Sequence, residues 1–148
     1  PMPLDGMGTA LKPMAPMAPS AASLTPMPVP GATSWQTYVN RCLLIKGTVS
    51  CCVFDTHSLH AMASAGGPPG ADRLAQQGAA LLSAMNDASR ALGLGPARAE
   101  ASISTTSHHL VLRPVPGHPG VALHMVLLAS ASNLTLTRMQ LERIEPPR

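Results

Sequence analysis

Apolar residues recur along this chain in two rhythms. At helical spacing, Trp35, Tyr38/Val39, Cys42 and Ile45/Lys46 follow one another at intervals of three and four, with Ser34 placed to cap a helix from Trp35 and Gly47 to end it. The longest helical pattern runs from Ala71 to Leu92, opened by Asp72 and closed by Gly93 or Gly95. Its main apolar stripe is Leu74, Gly78, Leu81/Leu82, Met85, Ala88 and Leu92, and its wet side is Asp72, Gln76, Ser83, Asp87 and Arg90. A row of small residues, Ala80, Ala84 and Ala91, runs between the two. That row either lets a second helix approach closely or reflects nothing more than the helix propensity of alanine. A last helix is expected over Leu134 to Ile144, capped by Asn133 and stopped by Pro146-Pro147.

The other rhythm is that of strands. Val49 to Phe54 is a short, mostly apolar run, Asp55 to Ser58 has turn chemistry, and Leu59 to Ala63 completes a hairpin. Ala97 to Thr105 alternates strictly: Ala97, Ala99, Ala101 and Ile103 share one face, while Arg98, Glu100, Ser102 and Ser104 share the other. His108 to Arg113 is the next strand. Val121 to Leu128 is almost continuously apolar, which marks a central strand covered on both faces. The order helix, two strands, long helix, three strands, short helix predicts an α+β domain. Its economical form is an α/β/α sandwich around a five-stranded antiparallel sheet.

Composition divides the chain. Of 148 residues, 16 are proline, and eight of these fall before residue 31. Residues 1–33 hold two charges, five methionines and no periodicity, and are expected to form a disordered Pro/Met/Ala-rich tail ahead of a domain over 34–148. Aromatic residues are 2% and charged residues 11%, so the interior must be built from aliphatic and small side chains and the surface is unusually neutral.

The formal charge of +3 comes from basic residues scattered singly, without the stripe or stacking aromatics of a nucleic-acid binder, so no nucleic-acid partner is expected. No apolar run is long enough for a membrane span, and the three cysteines form no spaced framework, which fits free thiols. These features predict a cytoplasmic protein without a membrane partner.

Candidate chemistry is thin. The Gly66 to Gly70 break contains prolines and lacks the Lys-Ser/Thr pair of a phosphate loop. His57-x-x-His60 lies near Cys51 and Cys52, but two histidines fall short of a zinc ligand set, and cysteines within an apolar strand behave as small hydrophobes. No catalytic residue, metal or cofactor is assigned. The expectation is a protein that is not an enzyme.

Four segments between Ile45 and Glu145 carry a resemblance: Gly47-Thr-Val-Ser-Cys-Cys-Val-Phe-Asp55, Asp72-Arg-Leu-Ala-Gln-Gln-Gly-Ala-Ala-Leu-Leu82, the hairpin Ile103 to Val115, and Asn133-Leu-Thr-Leu-Thr-Arg-Met-Gln-Leu-Glu-Arg143. In order and spacing they resemble the Roadblock family of dynein light chains and bacterial polarity regulators. That resemblance implies a non-enzymatic scaffold or regulator of a small Ras-like GTPase or signalling complex, assembled as a homodimer or as a heterodimer with a paralogue. It also implies pairing through the long helix and the strand after it, and hence an interface at Gln77, Ala80, Ala84, Ala91, Arg98, Glu100 and Ser102. The proline-rich tail is outside the family pattern. Separately, Ser34-Trp-Gln-Thr-Tyr-Val39 is similar to the opening of profilins, which share the general architecture and whose terminal helices bind polyproline through aromatics. The closing helix here has no aromatic, so the alternative of a profilin-like polyproline or protein-binding module lacks half its platform on that helix.

Overall fold

The computed structural model describes residues 30–148. The stretch read as a tail therefore lies outside the described residues up to position 29. Helix α1 spans Pro30–Leu43. It begins earlier than a Ser34 cap would place it: proline fits the first helical position, where its missing N–H costs nothing. It also ends earlier, unwinding through tight turns in which the Leu44 and Ile45 amides donate to the Arg41 and Cys42 carbonyls.

Strand β1 (Thr48–Asp55) pairs with β2 (Ala61–Gly66). The second strand starts later than its composition suggests because the turn consumes more chain. Asp55 Oδ1 accepts from the His57 and Ser58 amides at 2.8 Å each, and the Leu59 amide closes back onto the Asp55 carbonyl. Those amides hold the Asp55 carboxyl below its usual range, the Ser58 amide first.

Helix α2 (Ala71–Ala91) then carries the chain from one edge of the sheet to the other. Strands β3 (Ala101–Ser104), β4 (His108–Pro114) and β5 (Val121–Leu128) complete the sheet, followed by helix α3 (Leu134–Glu142). Asn133 caps α3 as expected, its side chain accepting from the Leu136 amide at 3.0 Å.

The sheet order is β2-β1-β5-β4-β3 with every neighbouring pair antiparallel, so β5 is central. Six of its eight residues are buried. β3 is far shorter than the alternation over 97–105 predicts. Its register sets Ala101 opposite Leu112, so Ala99 would meet Pro114 and Ala97 would meet Pro116, neither of which has an amide proton to donate. The Ala97 amide turns instead to Asn86 Oδ1 at 2.9 Å.

Two apolar clusters lie on opposite faces of the sheet. One gathers Tyr38, Val39 and Cys42 from α1 and Leu141 from α3 over Cys51, Val53, Leu123, Met125 and Leu127. The other gathers Leu74 and Ala75 from α2 over Cys52, Phe54, Leu112, Ala122 and Val126.

Candidate interaction surface

α2 sits close against the sheet because the residues facing it are small. A Cβ added at Gly78 would lie 2.8 Å from the Phe54 ring and 3.2 Å from His124 Nδ1. His124, 2% exposed at the centre of β5, bonds through Nδ1 to the Leu74 carbonyl of α2 at 2.9 Å. Burial pushes its pKa below the 6.5 usual for histidine, the Leu74 hydrogen bond opposing this only in part. The imidazole is therefore neutral at pH 7, with its proton on Nδ1 toward the carbonyl.

That close approach is confined to one half of the sheet, since α2 packs on β1, β2 and β5. On the same face, toward the β3 edge, Leu110 is only half-buried and Ile103 is 37% exposed. The apolar stripe of α2 is buried at Leu74, Ala75 and Gly78, half-buried at Leu81, Leu82 and Met85, and open from Ala88 onward. Leu92, expected to continue the stripe into the core, is 72% exposed, as is Leu94 just beyond it. The helix ends at Ala91 with Leu92 as its cap, beyond the part of α2 that overlies the sheet, and Gly93 at φ +72° then reverses the chain, the Leu94 amide returning to the Ser89 carbonyl.

All seven residues expected at an interface are exposed. Gln77, Ala80, Ala84 and Ala91 follow at spacings of three, four and seven on the side of α2 that faces away from Leu74, Ala75 and Gly78. The remaining three stand apart from them. Arg98 and Glu100, paired with each other at 3.3 Å, belong to the connection before β3. Ser102 is on β3 but faces the other side of the sheet, where Arg138 of α3 donates to its hydroxyl at 3.4 Å. The small-residue stripe itself is neutral, flanked by an Asp87–Arg90 pair at 3.3 Å.

The chemistry weighed on sequence is separated in space. Cys51 and Cys52 face opposite clusters, and all three cysteines are buried, with their thiols pushed up to about 12 by desolvation. His57 and His60 are exposed at the β1–β2 turn, and among the described residues no three His, Cys, Asp or Glu side chains gather at metal-binding distance. No helix among the described residues is long and apolar enough to cross a membrane.

Two arrangements escaped the sequence. Ser104 Oγ lies 2.8 Å from His109 Nδ1 across β3 and β4, an exposed pair. Trp35 stacks edge-on against His118 with centroids 4.8 Å apart, and His118 Nε2 bonds to the Pro147 carbonyl. Ser104 and His109 meet through the β3–β4 register, whereas Trp35, His118 and Pro147 are too distant in sequence for any local pattern to join them.

No family model matches the chain, and no curated protein is a significant match. Solved structures do match. MglB of Myxococcus xanthus superposes with a TM-score of 0.65 at 18% identity, covering 80% of this chain and 86% of that one. A Roadblock/LC7 domain from Streptomyces avermitilis gives 0.59 at 18% identity over 72% of this chain and 91% of that one. An MglB described with a tetrameric arrangement gives 0.63 at 19% identity over 80% and 86%. The five-stranded antiparallel sheet crossed by one long helix thus has the Roadblock/LC7 fold.

Proposed function

We propose that this chain is a Roadblock family member that assembles as a homodimer, or as a heterodimer with a paralogue, and scaffolds or regulates a small Ras-like GTPase or signalling complex in the cytoplasm. It has no active site of its own in this reading. The observation that carries the assembly is the half-covered face: α2 overlies β2, β1 and β5, while Ile103 on the edge strand β3 stays open, as do Leu92 and Leu94 at the end of α2.

A second copy related by a two-fold axis would set its own α2 against Gln77, Ala80, Ala84 and Ala91, where alanine lets the backbones approach, and would pair its β3 with this one. Arg98, Glu100 and Ser102 would border that junction, from the connection and from the far face of the strand. Self-assembly is in keeping with the tetrameric arrangement described for an MglB of this fold.

The GTPase part of the proposal rests on the likeness to MglB and Roadblock/LC7 structures and is tested directly. The Ras-like GTPases of the source organism, each loaded with GDP or with a non-hydrolysable GTP analogue, are titrated with the purified chain. Binding that depends on the nucleotide state is expected from at least one of them. Absence of binding in both states across the set overturns the regulatory reading.

A further inference from the structure

The two sides of the sheet differ in charge as well as in cover. Helix α2 is balanced, with Asp72 and Asp87 against Arg73 and Arg90. On the other side, α1 carries Arg41 and no carboxylate, α3 and its cap carry Arg138 and Arg143 against Glu142, and β4 adds Arg113. Arg113 faces that side because it stands opposite Leu123, a member of the α1 and α3 cluster.

Two of these guanidiniums are drawn together. Arg113 Nη1 donates to the Arg138 carbonyl at 3.5 Å, and Arg138 Nη2 donates to Ser102 Oγ at 3.4 Å. Ser104, two residues along β3 from Ser102, shares its face and sets its hydroxyl 2.8 Å from His109 Nδ1. A guanidinium has five N–H donors, and here each spends one on a long contact with a neutral oxygen. Neither has a counter-ion: the ion pairs among the described residues are Asp55–His57, Asp87–Arg90 and Arg98–Glu100, and Glu142, one turn beyond Arg138, pairs with neither arginine. Arg90 and Arg98 are paired although their side chains, 75% and 79% exposed, have water to serve them. Arg113 is half-buried and unpaired, close enough to Tyr38 for its charge to oppose the rise that burial causes in that hydroxyl's pKa. A cation withdrawn from water is costly unless an anion meets it.

We propose that Arg113 and Arg138, with the Ser102 and Ser104 hydroxyls beside them, form a docking surface for an acidic, Asp- or Glu-rich segment of another protein. Carboxylates of such a segment supply Arg113 with the counter-ion that the described residues do not provide, and take the parallel N–H donors of Arg138 side by side. The apolar core on this side is already closed by α1 and α3, so recognition rests on charge and hydrogen bonding. The surface lies across the sheet from the outer stripe of α2 and does not depend on the dimer or on the GTPase reading.

A fluorescein-labelled decaglutamate peptide is titrated with the full-length chain and followed by anisotropy at about 0.15 M salt, where distant charges are largely screened. Saturable binding is expected. Arg138→Gln, at an exposed position of α3, should weaken it by about tenfold or more, and Arg113→Gln by as much. Arg90→Gln removes the same charge from the α2 side and should change the affinity by less than about twofold. Should Arg113→Gln fail to match the far-UV circular dichroism of the parent, Arg138→Gln decides. No saturable binding, or equal losses in Arg138→Gln and Arg90→Gln, overturns the proposal. Tighter binding of a labelled DNA duplex or of phosphatidylserine vesicles than of the peptide assigns the surface to another polyanion and overturns it too.

Discussion

The two faces of the sheet are finished to different degrees. On the α1 and α3 side, twelve residues form a cluster with exposures of 6% or less, drawn from both helices, from β1, β4 and β5 and from two connections. On the α2 side, seven residues are buried, and more than that number of apolar neighbours, Leu81, Leu82, Met85 and Leu110 among them, stay half-buried around them. One helix cannot cover five strands, and α2 is drawn tightly onto three of them by Ala75 and Gly78. A face closed by two helices needs nothing more, whereas a face closed by one leaves apolar surface beside a free strand edge. Such surface in a folded chain marks a site meant to be covered.

The contrast can be broken first at the open side. Ala84→Arg, which puts a long charged side chain on the outer stripe of α2, should raise the dimer dissociation constant by about a hundredfold, or about 2.8 kcal/mol at about 1.4 kcal/mol per tenfold. Met139→Arg, at an exposed position of α3 on the closed side, should leave it unchanged. Analytical ultracentrifugation of the two variants reads this directly.

A smaller effect is expected under α2. Gly78→Ala gains about 1 kcal/mol of helix propensity but drives a methyl group to 2.8 Å from the fully buried Phe54 ring. Overpacking should win, for a net loss of about 1–3 kcal/mol in urea unfolding.

The smallest effect concerns His124. Its folded pKa is depressed by burial, so the unfolded chain takes up the proton first as pH falls. Its neutral form supports full stability above the unfolded value of 6.5, and stability is lost as pH drops from there through the lower folded value. The slope contributed is at most about 1.4 kcal/mol per pH unit. His124→Gln should remove that segment of the pH profile while leaving the profile above it parallel to the parent's.

Where burial acts on both sides of an element, the sequence could be read almost residue by residue. β5 spans Val121–Leu128 as its apolar run predicts, and α2 ends at Ala91, one residue short of expectation, just before the glycine that reverses the chain. Where an outcome depends on a distant partner, pattern was insufficient. The alternation over 97–105 identifies which side chains can face inward, but the length of β3 is decided by Pro114 and Pro116 across the sheet. Leu92 has the spacing of a core residue, yet the sheet no longer lies beneath it. The outer stripe of α2 was legible because helical geometry places it without tertiary knowledge. The Trp35–His118–Pro147 cluster was not, because it joins α1, the β4–β5 connection and the segment after α3.

Sedimentation of the full-length parent across a concentration series tests the central claim, that the α2 side is completed by a second copy. The expected result is the mass of two chains at tens of micromolar, falling toward one on dilution. A parent that stays monomeric throughout that range would contradict it.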